Sequence, residues 1–168
     1  MDSMSADLMR GLETSLPNFY FDRERFGALL VSGDMIGAWN YLSEFTKFDS
    51  NYQSNLMFYL VCRQRYCNCL IEGNLPCAVA FLVLGKTGLN EIGLAETKKD
   101  FIDNDLQRLF SVHKKLLDAR AEGYTVDLVP FANDTTNEMF QMMNHLVATN
   151  PDLLQKQKKD FSSQMRFI

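Results

Sequence analysis

From Asp22 onward the apolar positions of the chain fall mostly at the three- and four-residue spacings of helix faces, separated by short polar punctuation. Asp22 is placed to cap a short helix carrying Phe26, Leu29 and Leu30 on one side. Ser32-Gly33-Asp34 then reads as a stop and a restart, with Gly33 in a left-handed turn and Asp34 as the next cap. The following helix sets Ile36, Trp39, Leu42 and Phe45 three apart, a single stripe that leaves Gly37 and Asn40 to one side. Asn51 to Glu72 is the longest helical stretch that the pattern predicts. Its first half, Leu56 to Cys62, is apolar all round and calls for neighbours on every side; its second half, with Arg63 and Arg65, is expected to emerge into solvent. Gly73 closes that helix, and Asn74 and Pro76 open another through Ala78, Val79, Phe81 and Leu82 to Gly85.

Gly85, Gly88 and Gly93 mark an irregular connection before a helix resumes near Lys98 with Phe101, Ile102, Leu106, Leu109 and Phe110. Lys114 to Ala121 adds one or two turns. Tyr124 to Val129 alternates in the manner of a short strand, without a partner strand in the sequence. Asp134 and Glu138 are expected to start a Met-rich helix (Met139, Met142, Met143, Leu146) ending at Asn150, and Pro151 opens a last short one. With no internal repeat and no low-complexity stretch, the expectation is an all-α bundle of about seven to nine helices in short antiparallel hairpins.

The composition fits a packed domain: 46% of the 168 residues are apolar, 12% aromatic and 23% charged. Seventeen basic against 21 acidic residues give a net charge of −4, which offers no basic field for a nucleic acid. The first residues, Met1 to Leu8, are acidic rather than apolar and do not read as a secretory signal. The longest apolar stretches, Leu56–Cys62 and Ala78–Leu84, fall far short of the roughly 20 residues that cross a bilayer. A cytosolic or nuclear protein, without a membrane partner, is expected.

Catalytic chemistry finds little support. Cys62, Cys67, Cys69 and Cys77 include a pair two residues apart, which on a helix point to different faces and cannot share a metal; they read as buried thiols. A thiol paired with His113 lacks a third, orienting group. Asp100, Asp103 and Asp105 read as a solvated charged face beside Lys98 and Lys99. Gly85-Lys-Thr-Gly88 lacks the upstream glycine and the strand-to-helix setting of a phosphate loop. Lys156 to Lys159 reads as a solvated basic stretch, and the Met139/Met142/Met143 stripe as core or as an adaptable surface. No enzyme, cofactor or metal is expected.

Three blocks carry a family resemblance. They are Asn40-Tyr-Leu-Ser-Glu-Phe-Thr-Lys-Phe-Asp49, Phe58-Tyr-Leu-Val-Cys-Arg-Gln-Arg-Tyr66 and Pro76-Cys-Ala-Val-Ala-Phe-Leu-Val83. In this order and spacing they resemble the CTLH segment of plant Topless-type transcriptional corepressors, and the stretch from Asp134 to Pro151 resembles the later CRA segment. The resemblance implies a truncated LisH-like segment at 1–21, a CTLH-like region at 22–85 and a CRA-like region at 86–168 that packs back on it. It further implies a nuclear or nucleo-cytoplasmic, non-enzymatic module that binds short Leu-x-Leu-x-Leu (EAR-type) repression motifs. Weak self-association is expected because the start of the LisH pair is absent.

By the same resemblance, the peptide groove falls on Tyr59, Leu56, Tyr52, Lys86 and Leu89. Tyr59 matches a groove aromatic, although next to core Phe58 it also reads as core. The groove reading predicts that Tyr59→Ala abolishes binding with the helices intact; the core reading predicts unfolding. Tyr52 and Leu56 stand where the family has basic side chains, and Lys86 and Leu89 are the nearest matches to a Lys and a Phe. The competing implication is a scaffold subunit of a CTLH-type ubiquitin-ligase assembly, which shares the CTLH–CRA arrangement.

Overall fold

The computed structural model describes residues 20–74, 76 and 96–156, with the backbone alone at 96–100. The described residues are all-helical, in six helices: α1 Arg23–Val31, α2 Met35–Ser43, α3 Tyr52–Ile71, α4 Glu96–Ala121, α5 Val129–Thr149 and α6 Pro151–Lys156. This is fewer than the seven to nine expected, and the helix expected from Asn74 to Gly85 lies largely outside the described residues. None of the six is long and apolar enough to cross a membrane. The chain divides into two compact units, one taking the chain up to Thr46 and from Val147 onward, the other Lys47–Leu146.

In the first unit the expected punctuation holds. The Asp22 carboxylate accepts from the amides of Glu24 and Arg25, and Asp34 accepts from Gly37 at 2.8 Å. Gly33 turns the chain at φ +79°, a conformation that costs a side-chain-bearing residue about 1 kcal/mol or more. A Cβ at Gly37 would press on the Asp34 carboxylate that accepts the Gly37 amide, so a side chain there would require that carboxylate to shift. The α2 stripe holds at Leu42 and Phe45 and is corrected by one position in its first half, where Met35 and Ala38 take the place of Ile36 and Trp39. Met35, Ala38, Tyr41 and Leu42 face inward with Phe45, whereas Ile36 is exposed.

Phe21, Phe26, Tyr41 and Phe45 form an aromatic cluster with ring centres 5.2–5.8 Å apart. The Tyr41 hydroxyl accepts from the Asp22 amide, and the Arg25 guanidinium lies over its ring. The last helix closes on this cluster. Lys156 donates through Nζ to the Phe45 carbonyl, the Phe21 amide donates to the Lys156 carbonyl, and Thr46 donates to Asp152 at 2.7 Å. Asn150 caps that helix by accepting from the Asp152 amide, and Leu153 is fully enclosed.

In the second unit, Asn51 caps α3 by accepting from Ser54 at 2.7 Å. Every residue from Gln53 to Gln64 is buried, as a helix apolar on all sides requires. The longest helix is α4, at 26 residues, because Lys114 to Ala121 continues it without a break. The strand-like alternation after Tyr124 corresponds to an irregular link instead, and α5 begins at Val129, five residues ahead of Asp134. Asp127 takes the Val129 amide, Leu128 accepts from Ala132, and Pro130 occupies a first-turn place where no amide is required.

Candidate functional site

The centre of the second unit is polar. Arg63, in the middle of α3, is only 2% exposed, which corrects the expectation that this half of the helix emerges into solvent. Its guanidinium stays buried because partners surround it: Glu138 of α5 at 2.7 Å, Asp105 of α4 at 3.3 Å and the Thr135 carbonyl at 3.2 Å. Asp105, read from sequence as part of a solvated face, is 6% exposed. It accepts from Arg63, from Arg108 at 2.7 Å and from the Tyr59 hydroxyl. Two guanidinium and two carboxylate groups thus tie α3, α4 and α5 into one register, an arrangement in which removing a single partner leaves a buried charge only partly compensated.

Tyr59 belongs to this network. It is 1% exposed, and burial together with the adjacent Asp105 charge pushes its phenol well above the ordinary tyrosine value. The structure therefore sets it in the core beside Phe58, and it does not line the depression described next. Lys86 and Leu89 lie outside the described residues.

The remaining two expected groove residues do come together. Tyr52 and Leu56, one turn apart on α3, line an open depression of about 350 Å³ whose opposite wall is Gln141, Met142, His145 and Leu146 of α5. Leu56, Met142 and Leu146 supply apolar surface, and Gln141 and His145, one turn apart, supply polar atoms along the α5 side. None of the described lining residues is Lys or Arg. From sequence Met142 reads as core or as part of an adaptable surface, and Gln141, His145 and Leu146 carry no groove role; contact between α3 and α5 reveals them.

Among the described residues, the thiols are buried and His113 is paired. Cys62, Cys67 and Cys69 are free and buried, and desolvation pushes the Cys62 thiol up to about 12 and raises that of Cys67. A thiol so protonated is a poor nucleophile at neutral pH. Cys77 lies outside the described residues. The Nδ1 of His113 sits 3.2 Å from the Tyr66 hydroxyl, and burial lowers its basicity. Among the described residues no group of three His, Cys, Asp or Glu side chains is arranged to hold a metal.

Residues 22–157 match the family described as a TPR1-like, CTLH-containing domain, which is a protein-interaction module and not typically catalytic. A search of curated proteins finds no match. The family match takes in all six helices, the buried charge network and the α3–α5 depression. The chain belongs to the TPR1-like, CTLH-containing domain family.

Proposed function

We propose that this chain is a Topless-like corepressor head, a non-enzymatic nuclear module that docks short Leu-x-Leu-x-Leu motifs in the depression between α3 and α5. The observation that carries this reading is the meeting of Tyr52 and Leu56, both assigned to a groove by the resemblance, with Met142 and Leu146 in one open apolar recess. Two leucines entering it bury surface worth about 3–6 kcal/mol before the cost of ordering the peptide, which suits a reversible, regulated contact. With no Lys or Arg among the described lining residues, acidic residues flanking the motif gain little, and binding depends only weakly on salt.

The test is a fluorescence titration of the full chain with a labelled Leu-x-Leu-x-Leu peptide and its Ala-x-Ala-x-Ala counterpart. Tyr52→Ala and Met142→Ser, both at partly exposed positions, are expected to weaken binding of the leucine peptide several-fold while far-UV circular dichroism stays unchanged. Equal binding of the two peptides, or full binding by both variants, overturns the reading. Affinity purification that recovers RING-bearing proteins and no repression-motif proteins would support the ligase-scaffold role in its place.

A further inference from the structure

A second apolar depression, of about 300 Å³, lies elsewhere in the same unit, where the end of α3 meets the link into α5. It is lined by Ile71, Val126, Leu128, Val129, Ala132 and Asn133. Ile71 and Val129, which both line it, are 54% and 62% exposed, unusual for two large aliphatic residues on one depression. Tyr124, just before the lining, is exposed as well.

Two further features indicate what would cover it. The first is backbone: among the described residues no hydrogen bond takes the amides of Thr125, Val126, Asp127 or Leu128. Tyr124, Val126 and Leu128 alternate with Thr125 and Asp127, the pattern of a strand with one apolar face. An unpaired run of this kind is what strand addition uses, with main-chain bonds supplying affinity and side-chain pockets supplying selectivity. The second is charge. Glu72, Asp127 and Asp134 are each exposed and each adjoin a lining residue in the chain, and no Lys or Arg does so.

We propose that this depression is a second docking surface, for an extended segment of another protein that alternates aliphatic with basic residues. The segment adds along 124–128 and places an aliphatic side chain between Ile71 and Val129, its basic residues facing the three carboxylates. This site is independent of the α3–α5 groove, sharing none of its lining residues.

The test uses the full chain and a labelled Lys-Ile-Lys-Val-Lys peptide, with Glu-Ile-Glu-Val-Glu as the charge-reversed control. The basic peptide is expected to bind at low salt and the acidic one not. Ile71→Ser should weaken binding about tenfold, the lower end for one partly buried aliphatic contact. Glu72→Lys/Asp134→Lys should weaken it about fivefold at low salt, and less at high salt. Of two peptides methylated on alternate amide nitrogens, in odd and in even places, one should bind and the other not, because strand addition engages one edge only. Tyr52→Ala should leave all of this unchanged. Binding that ignores peptide charge, that survives Ile71→Ser, that tolerates both methylation patterns, or that fails for the unmodified basic peptide overturns the proposal. Loss of binding in Tyr52→Ala would do the same, by moving the peptide to the other groove.

Discussion

Asp105→Ala is the substitution that most directly tests the buried charge network. The side chain sits 3.3 Å from Arg63 and 2.7 Å from Arg108, and receives the Tyr59 hydroxyl. Removing it leaves the Arg63 guanidinium buried with Glu138 and the Thr135 carbonyl as its remaining partners. Loss of one member of a buried pair costs about 3–5 kcal/mol, and the surviving 2.7 Å contact to Glu138 puts this case near 3. For a chain of this length that corresponds to a fall of roughly 6–12 °C in the unfolding temperature. Far-UV circular dichroism is the appropriate probe, because the single tryptophan, Trp39, belongs to the other compact unit. Tyr59→Phe removes only a donor to an otherwise paired carboxylate, so about 1 kcal/mol is expected. Arg63→Met/Asp105→Leu should lose less than the two single changes together, since neither charge is then stranded. High salt should not rescue Asp105→Ala, as a buried pair is little screened. A loss below about 1 kcal/mol, or one that vanishes in salt, would refute the burial argument by the standard for exposed pairs.

Three other outcomes follow from particular residues. Burial lowers the His113 pKa below its ordinary ~6.5, so the unfolded chain binds a proton the folded chain refuses; the stability is fully present above about pH 6.5 and declines as pH falls through the folded value, and His113→Gln should flatten urea-unfolding curves measured across that window. Cys62, Cys67 and Cys69 should resist iodoacetamide at pH 8 in the native protein and react in guanidinium, with rapid native labelling of their peptides by mass spectrometry as the contrary result. Gly37→Ala should fail to give the usual gain of about 0.5–1 kcal/mol for a helical glycine, because the new Cβ displaces the Asp34 cap; in an Asp34→Ala background the gain should return, and thermal melts of the two pairs decide it.

The helices were legible wherever local chemistry sets them. Asp22, Gly33, Asp34, Asn51 and Gly73 act on neighbours a few residues away, so their caps and turns can be read without the fold. Errors arose where a distant partner changes the meaning of a residue. Arg63 looked solvent-bound because its charge was read alone, whereas Glu138 is 75 residues on in the chain. The burial of Asp105 did leave a signal: Ile102, Leu106, Leu109, His113 and Leu116 are all buried at helical spacing, and Asp105 falls on that same face, not with Asp103. The start of α5 departs from the sequence reading because Asp127, which falls within the strand-like alternation, takes the Val129 amide and Pro130 sits in the first turn. In the α3–α5 depression, the resemblance singles out Tyr52 and Leu56 on the α3 side. The α5 side is not singled out, since nothing local to Gln141 or His145 indicates what they face.

The groove assignment is tested most directly by position, with a Leu-x-Leu-x-Leu peptide that carries photo-leucine as its central leucine. After irradiation with the full chain, mass spectrometry should find the cross-link on the residues that line the α3–α5 recess, chiefly Met142, Leu146, Tyr52 and Leu56, and excess unlabelled peptide should compete it away. Specific cross-links at 124–129 instead, or none that unlabelled peptide competes, would contradict it.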